Sequence, residues 1–546
     1  MSANDTPARR RTAPIAMAVA FTVLWFALLG VRPLFNPDEG RYAEIPREML
    51  ATGDWLVPRL DGLVYIEKPP LQYWATALSF ELFGVNVWAA RLYSGLCGLL
   101  TVLVTAALAR RLWGGVVAWR AGIMLSSTFG MIVLSQQLTL DISLTFFTTL
   151  TLAAFCVAQE ARTKEARRRH WMWLAWGSAA GAFLTKGLVA LVLPGLTLIV
   201  YSLLYRQWRP WRRLSVPTGM VLFALIAAQW CVLMQRHVPQ FFDFFFIREH
   251  FQRFLTRIED RYEPMWFFIP VLAAGCLPWI LPAGRALGSA WRIAKSPAEF
   301  EPRAFLWAWC AVVFVFFSMS DAKLIPYILP LLPALALLMA SAPVAHLQRD
   351  LRRTCPGVIA VGFLLAALAA VLPQLLHDPV RAPYFGQLRL PLLAIGLVAL
   401  GGGWIARARS EPTAILGATT YICVVILLVS ARCVAPIYSG AALAAQINHA
   451  IMPATPIYAV RTYDQTLPFY LRRTMTLVET RGELDFGLRL EPEKGLASLE
   501  AFVARWRAEP DAFAVMEPDT YALLERQGLP MVVRAQAPER LIVSRR

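Results

Sequence analysis

Acidic, basic and aromatic side chains crowd into a short polar stretch near the N-terminus of a largely apolar chain. Its members are Asp38, Glu39, Arg41, Tyr42, Glu67 and Lys68. Pro37 precedes two acids, which favours a helix start because carboxylates are stabilised at the positive end of a helix. Carboxylates beside cations can orient a charged substrate or move a proton, and a lysine can bind a phosphate. The alternative interpretation is a pair of surface helices with solvated charges.

A further acid, Asp141, lies where a charge is costly. It begins an apolar segment, residues 140–159, and a carboxylate at membrane depth is expensive unless it has a partner or faces a wet cavity. Thr139 or Asp141 could instead cap the helix. Both roles are compatible, because a helix N-terminus that faces a cavity also attracts anions. Tyr327 is predicted to reach the same cavity.

Three other charged residues, Lys186, Asp321 and Lys323, lie at short turns between apolar segments. We interpret them as snorkelling side chains, whose apolar stems lie along the membrane while the charge reaches water.

Aromatic rings alternate with charges between residues 235 and 264. Arg253 and Arg257 are four residues apart, so they share a face if the segment is helical. A basic face beside an aromatic one suits a lipid phosphate with its tail, and contact with bulk anionic lipid is the alternative. His250 and Glu67 are candidate ligands for a divalent metal, but two ligands from distant loops are too few to predict a metal site. We expect no required cofactor.

The composition explains where such residues must lie. The chain has 546 residues, of which 57% are hydrophobic and 16% charged, where a soluble protein has about 25% charged residues. This excludes a soluble enzyme, a disordered chain and a nucleic-acid binder. No glycine-rich nucleotide-binding motif occurs where it would be needed, which disfavours ATP-driven transport and a nucleotide-sugar donor.

Apolar windows long enough to cross a bilayer recur along most of the chain, and they predict about thirteen transmembrane helices. The predicted spans are residues 14–31, 87–109, 116–136, 140–159, 171–187, 188–205, 214–234, 265–284, 304–318, 324–342, 357–376, 390–406 and 413–431.

The net charge of +17 is a signal of topology. If the N-terminus is cytoplasmic, the segments on that side hold 23 Lys or Arg residues and only seven acidic residues. The positive-inside rule therefore predicts a cytoplasmic N-terminus, and an odd number of spans places the C-terminus outside. The site residues above then lie in external loops, beside interfacial helices rich in Trp and Tyr.

Residues 434–546 form a predicted soluble domain after the membrane domain, residues 1–433. They hold 13 basic and 13 acidic residues and no long apolar run. Strand-like runs at Pro456–Val460, Met475–Val478 and Met531–Arg534, with an amphipathic stretch at Ser498–Arg507, predict a small external α/β domain. All eight cysteines precede it, and no spacing among them predicts a metal site.

The first polar stretch resembles a known family. The string Asn36-Pro37-Asp38-Glu39-Gly40-Arg41-Tyr42-Ala43-Glu44, with Gly53-Asp54-Trp55 and Glu67-Lys68-Pro69-Pro70, is similar to the bacterial aminoarabinose lipid A transferase branch of the GT-C glycosyltransferases. The resemblance implies an all-α polytopic membrane fold with a C-terminal periplasmic α/β domain. It also implies a multi-pass protein of the bacterial inner membrane, with a periplasmic active site.

The family implies transfer of 4-amino-4-deoxy-L-arabinose from undecaprenyl phosphate to lipid A phosphates, which masks negative charge and gives resistance to polymyxin. By this resemblance Asp38, Asp141 and Lys68 are the catalytic residues. The expected partners are the lipid-linked donor, lipid A and membrane lipids, with no nucleic acid and no protein partner inferred. The expected substrate-binding residues are Glu39, Arg41, Tyr42, Glu67, Arg253, Arg257 and Tyr327.

Elementary chemistry limits these roles. A phosphate acceptor is already ionised near neutral pH, so it needs alignment more than deprotonation. Asp38 would then orient Arg41 and the acceptor, or pair with the ammonium of the sugar, and would act as a base only for a hydroxyl acceptor. Lys68 and Arg253 would stabilise the leaving phosphate.

Two alternatives remain open at this point. A transferase of the same fold could move another polyprenyl-linked sugar, such as galacturonic acid or mannose, to lipid A, lipopolysaccharide or protein. A flippase for a polyprenyl lipid is the alternative from another class, but we find no paired inverted repeat.

Overall fold

Helices dominate the computed structural model, which describes residues 18–252, 263–291, 299–480 and 482–545, with the side chains of 250–252 excepted. In chain order the helices before the C-terminal region are α1 (Ala18–Gly30), α2 (Asp38–Thr52), α3 (Leu71–Phe83), α4 (Val87–Trp113), α5 (Gly115–Ser126), α6 (Phe129–Ser135), α7 (Leu140–Gln159), α8 (Glu165–Lys186), α9 (Val189–Tyr205), α10 (Val216–His237), α11 (Asp243–Gln252), α12 (Phe268–Gly275), α13 (Ile280–Ala290), α14 (Pro302–Met319), α15 (Ile325–Ala340), α16 (Val344–Leu375), α17 (Ala382–Arg407) and α18 (Thr413–Tyr438).

From residue 18 onward, where the described residues begin, every predicted span overlaps one of these helices or a bent pair of them. Within the described residues, seven helices are long and apolar enough to cross a membrane, or nine if each bent pair is one span. The pairs α5–α6 and α12–α13 bend by 63° and 116°. Of the rest, α1, α9 and α15 are shorter, and α8 begins with charged residues. The chain is therefore a multi-pass membrane protein, as predicted.

Between α1 and α4 lies the first loop, residues 32–86, which is folded throughout. Pro37 caps α2, two acids occupy its first turn, and Gly53 ends it at a φ of +73°, a conformation that glycine tolerates best. A two-stranded hairpin follows, β1 (Arg59–Leu60) and β2 (Leu63–Val64), which turns through Asp61-Gly62. Both turn residues have positive φ, as this hairpin turn requires. The first loop is thus an ordered platform beside the membrane helices.

The C-terminal region contains a six-stranded sheet in the order β5-β4-β3-β6-β8-β7. β3 to β6 run parallel, and β8 and β7 add antiparallel strands at one edge. Its elements are α19 (Ala441–Ile447), β3 (Ile457–Val460), α20 (Leu467–Leu471), β4 (Thr476–Val478), α21 (Asp485–Leu490), β5 (Gly495–Leu496), α22 (Leu499–Ala508), β6 (Phe513–Met516), α23 (Pro518–Arg526), β7 (Val532–Gln536) and β8 (Leu541–Ser544). The predicted strands and the amphipathic helix are confirmed, and the α/β class with them; the division at residue 433/434 stays a prediction.

The two faces of this sheet are buried by different partners. Alternate residues of a strand point to opposite faces. On one face Tyr458 and Val460 pack with Phe502 and Trp506 of α22. On the other, Ile457 and Ala459 belong to the same core as buried residues of the first loop, among them Ala43, Leu60 and Tyr73. One face of the sheet therefore packs on the platform that carries the first polar stretch.

Candidate active site

Helix α2 presents three of the predicted residues on one side. Asp38, Arg41 and Tyr42 are related as i, i+3 and i+4, so they lie on the same helix face. The guanidinium of Arg41 donates to the carboxylate of Asp38, and its Nη1 also donates to the hydroxyl of Tyr65 at 2.9 Å. The side chain of Arg41 is 3% exposed and that of Asp38 is 39% exposed. Asp38 is therefore the member of this group most open to a substrate.

The hairpin returns the chain so that Glu67 and Lys68 lie beside α2, just before Pro69 and α3. Lys68 Nζ donates to the backbone carbonyl of Glu67 and to the carboxylate of Glu249, both at 3.1 Å. Glu249 comes from α11, far along the chain. Burial, and then the Glu249 carboxylate, raise the pKa of Glu67 above its usual value, while Lys68 opposes this effect. The two carboxyl groups therefore compete for one ammonium.

Asp141 is paired across a helical hairpin. It lies in the first turn of α7, and Lys186 is the last residue of α8, which packs beside α7 and runs back along it. The Lys186 ammonium donates to Asp141 and lies 4.2 Å from the centre of the Tyr327 ring. Each charge is also at the favourable end of its helix, the acid at an N-terminus and the cation at a C-terminus.

These groups surround one open cavity, which holds about 410 Å³ of space free of atoms, its mouth included. Its lining residues are Asp38, Arg41, Tyr42, Glu67, Lys68, Thr139, Leu140, Asp141, Lys186, Leu324 and Tyr327. The structure thus brings together seven of the predicted site residues from four separate segments, and Lys186 adds a fifth segment. Three carboxyl groups and three cations in one cavity can hold a substrate that bears both charges.

Glu39 lies outside the cavity lining, and its predicted contact with substrate stays a prediction. Its carboxylate accepts hydrogen bonds from the guanidiniums of Arg32 and Arg91, with Arg91 Nε at 2.7 Å, and from the backbone N–H of Leu138 at 3.0 Å. Burial would raise the pKa of Glu39, but the two guanidiniums outweigh it and hold that pKa well below its usual range. Because Glu39 follows Asp38 directly on a helix, its side chain points to another side of α2. There it binds three segments, which carry Arg32, Arg91 and Leu138.

Arg253 and Arg257 lie outside the described residues, and so does the side chain of His250. Their predicted contacts with a lipid phosphate and with a metal therefore stay predictions. Within the described part of the chain, no group of three or more His, Cys, Asp or Glu side chains could hold a metal ion.

Sequence reasoning missed three residues that contact the predicted ones. Lys186 was interpreted as a snorkelling side chain, yet it lines the cavity and pairs with Asp141. Its position at the same end of the helical hairpin as Asp141 was the signal that could have found it. The other two are Glu249, which pairs with Lys68, and Glu483, which pairs with Arg41, and both come from distant parts of the chain. No local pattern identifies either contact.

Comparisons with known proteins agree with this arrangement. Residues 443–545 match the family model described as aminoarabinose transferase C-terminal domain, and residues 12–248 match that of dolichyl-phosphate-mannose-protein mannosyltransferase. The undecaprenyl phosphate-alpha-4-amino-4-deoxy-L-arabinose arabinosyl transferase of Pseudomonas aeruginosa strain LESB58 is 34% identical over 532 residues, which are 92% of each chain. The corresponding protein of Aeromonas salmonicida is 33% identical over 393 residues, 71% of this chain and 70% of its own.

Solved structures give the same result. The crystal structure of ArnT from Cupriavidus metallidurans bound to undecaprenyl phosphate matches with a TM-score of 0.91 at 34% identity, over 98% of each chain. The Archaeoglobus fulgidus oligosaccharyltransferase matches with a TM-score of 0.50 at 12% identity, over 91% of this chain and 69% of its own, and this likeness concerns the fold alone. The resemblance found in the first polar stretch is confirmed, and the chain belongs to the aminoarabinose transferase family of GT-C glycosyltransferases.

Proposed function

We propose that this enzyme transfers 4-amino-4-deoxy-L-arabinose from undecaprenyl phosphate to phosphate groups of lipid A, with inversion at the sugar carbon. The observation that carries the proposal is the cavity itself, in which Asp38, Lys68 and Asp141 meet in a chain that is 34% identical to arabinosyl transferases over 92% of its length. The added ammonium would mask negative charge on lipid A and so confer resistance to polymyxin.

We further propose that the cavity and the C-terminal region face the periplasm and that the N-terminus is cytoplasmic, in the bacterial inner membrane. Segments assigned to the cytoplasm carry nearly the whole net charge of +17, in line with the positive-inside rule. The first loop and the C-terminal region share one apolar core, which supports their location on the same side of the membrane.

In the proposed reaction, the bond between the sugar and the donor phosphate breaks as an oxygen of the acceptor phosphate attacks the sugar carbon. Negative charge develops on the leaving undecaprenyl phosphate, and Lys68 stabilises it within a partly dehydrated cavity. The acceptor is ionised near neutral pH, so it arrives ready to attack and requires alignment. Asp38 then orients Arg41 and pairs with the ammonium of the sugar. Fixed cations supply the electrostatic stabilisation, so we propose that no metal or other cofactor is required.

The described residues around the cavity favour an amino sugar over a neutral or acidic one. The cavity lining holds three carboxyl groups, of Asp38, Glu67 and Asp141, and the carboxylate of Glu249 lies behind Lys68. The pKa of Glu67 is raised because burial and the Glu249 carboxylate both disfavour its charged form. An ammonium on the substrate would stabilise the charged form of Glu67, whereas the carboxylate of a galacturonic acid would disfavour it further.

The test is the structure of lipid A in a strain that lacks its own aminoarabinose transferase but makes the donor. The wild-type protein should add aminoarabinose to lipid A, as measured by mass spectrometry, and restore growth on polymyxin. Asp38→Asn and Lys68→Ala should insert in the membrane at wild-type amounts and add none. Asp378→Asn, which changes an exposed acid away from the cavity, is the matched control and should behave as wild type.

Three outcomes would contradict the proposal. A different sugar on lipid A would establish another transferase of the same fold. No covalent product, with lipid-linked sugar moved across the membrane, would indicate a flippase. If either cavity variant modified lipid A fully, the residue that it replaces would not be required for the reaction.

A further inference from the structure

The guanidinium of Arg41 is shared between the first loop and the C-terminal region. One side donates to Asp38, while Nη1 donates to the hydroxyl of Tyr65 and to the carboxylate of Glu483. Asp38 and Arg41 line the cavity, and Glu483 is outside that lining. Glu483 therefore acts on the cavity through Arg41.

Glu483 and its neighbours are held in place by contacts with the C-terminal region, the first loop and α11. Its Oε2 accepts a hydrogen bond from the side-chain amide of Gln465 at 3.0 Å. Four residues later Gly487 packs so closely that an added Cβ would lie 2.8 Å from Cβ of Leu63. The next aromatic residue, Phe486, lies against Phe244, with ring centroids 4.1 Å apart. The turn that carries Glu483 is thus closely packed, and the carboxylate has little room to shift.

The C-terminal region also touches the turn of α2 that carries the site residues. A Cβ added to Gly40 would lie 2.4 Å from the backbone carbonyl carbon of Gln465, so two backbones meet there. Asn36 donates to Asp464 at 2.9 Å and accepts from the backbone N–H of Thr466 at 3.2 Å. The first turn of α2 is therefore fixed by the C-terminal region at the positions before and between Asp38 and Arg41.

Without Glu483, the guanidinium of Arg41 would keep the hydroxyl of Tyr65 and a single carboxylate, that of Asp38, which is 39% exposed. A long side chain that is held by one exposed carboxylate regains rotamer freedom, because long side chains lose considerable entropy when they are fixed. A second carboxylate on the opposite side of a planar guanidinium removes that freedom. We propose that Glu483 is a positioning residue that holds Arg41 against Asp38, so that the C-terminal region completes the active site. This inference rests on the proposed glycosyl transfer.

The experiment measures kcat and KM of the full-length purified protein with undecaprenyl phosphate-linked aminoarabinose and lipid A. Glu483→Gln and Glu483→Ala should lower kcat by about 10- to 100-fold, the effect of a misplaced group near the reacting atoms, and change either KM by less than about threefold. Glu483→Asp, which keeps the charge on a shorter stem, should recover part of kcat. Glu539→Ala is the matched control, because Glu539 also joins the C-terminal region to the membrane region through an exposed ion pair with Arg381.

A double-mutant cycle separates positioning from folding. In an Arg41→Ala background, Glu483→Ala should change kcat by less than about twofold, because its effect passes through Arg41. Thermal unfolding of Glu483→Gln should match that of Glu539→Ala. The inference is overturned if Glu483→Gln keeps kcat within twofold of wild type, or if its loss is the same without Arg41. If the wild-type protein transfers no aminoarabinose, the proposed function fails instead.

Discussion

Replacing Lys186 by methionine is the sharpest test of the cavity, because the sequence and the structure predict different results. A snorkelling lysine at a turn could be exchanged for methionine at little cost. In the structure its ammonium pairs with Asp141, and the two side chains are 13% and 9% exposed. Methionine keeps the length of the lysine stem but carries no charge. The buried carboxylate of Asp141 therefore loses its cation partner in this ion pair.

The cost can be worked from this geometry. Removing one partner of a buried ion pair costs about 3 to 5 kcal/mol. The N-terminus of α7 continues to stabilise Asp141, by about 1 kcal/mol and up to about 2, which leaves an expected destabilisation of about 1 to 4 kcal/mol. With an unfolding entropy of about 2 cal/mol/K per residue, or roughly 1 kcal/mol/K for the whole chain, Tm should fall by about 1 to 4 °C.

The assay is thermal unfolding of detergent-purified protein, followed by tryptophan fluorescence. Lys186→Met should lower Tm, and the double variant Asp141→Asn/Lys186→Met should recover most of the loss, because neither charge is then left unpaired. Neither variant should transfer sugar at the wild-type rate, since both change the cavity. The reasoning is refuted if Lys186→Met unfolds at the wild-type temperature, or if the double variant is as unstable as the single one.

Two further predictions concern the contact between the first loop and the C-terminal region. Burial raises the pKa of Asp61 well above its usual value, so the native state keeps a proton that the unfolded chain releases above about pH 4. Stability should therefore fall as pH rises, and Asp61→Asn should raise Tm at pH 8 more than at pH 5. Gly40→Ala should lower both Tm and kcat, because its Cβ would overlap the backbone of Gln465.

Each has its own control. Asparagine suits position 61 because the residue has a φ of +57° and because Oδ1 accepts from the backbone N–H of Met475 at 2.7 Å, while Oδ2 is buried without a partner. If Tm changed with pH by the same amount in Asp61→Asn as in the wild-type protein, Asp61 would be ionised in the native state. Gly401→Ala is the control for Gly40→Ala, since it adds the same methyl group to a helix with open space around it. Equal effects of the two substitutions would exclude the overlap as the cause.

The membrane region could be predicted because its signal is local. An apolar segment of sufficient length is recognisable without knowing its neighbours, so from residue 18 onward every predicted span overlaps a helix or a bent pair. The bends at 63° and 116° could not be predicted, because they depend on packing between helices. In the C-terminal region, short runs of β-branched and aromatic residues located strands such as Ile457–Val460 for the same local reason.

The site was predictable where residues are close in sequence and share a face. Asp38, Arg41 and Tyr42 follow helical spacing and meet at the cavity, whereas Glu39, one position on, turns about 100° away and pairs with Arg91. Being adjacent in sequence was therefore misleading, because helix geometry decides which side chains point to the cavity. The contact of Glu483 with Arg41 spans more than four hundred residues and depends on how the C-terminal sheet docks. No property of either residue type alone predicts it.

The pairing of the cavity's cations, among the residues that the structure describes, has a consequence for how a substrate enters. Arg41 is bound to Asp38 and Glu483, Lys68 to Glu249, and Lys186 to Asp141. A phosphate that binds Lys68 or Lys186 therefore competes with a carboxylate for the same ammonium. A phospholipid with only a negative head group brings no cation to that carboxylate. The proposed donor brings one, because its phosphate can bind Lys68 while the ammonium of its sugar pairs with a carboxylate of the cavity, so these ion pairs favour a substrate that bears both charges.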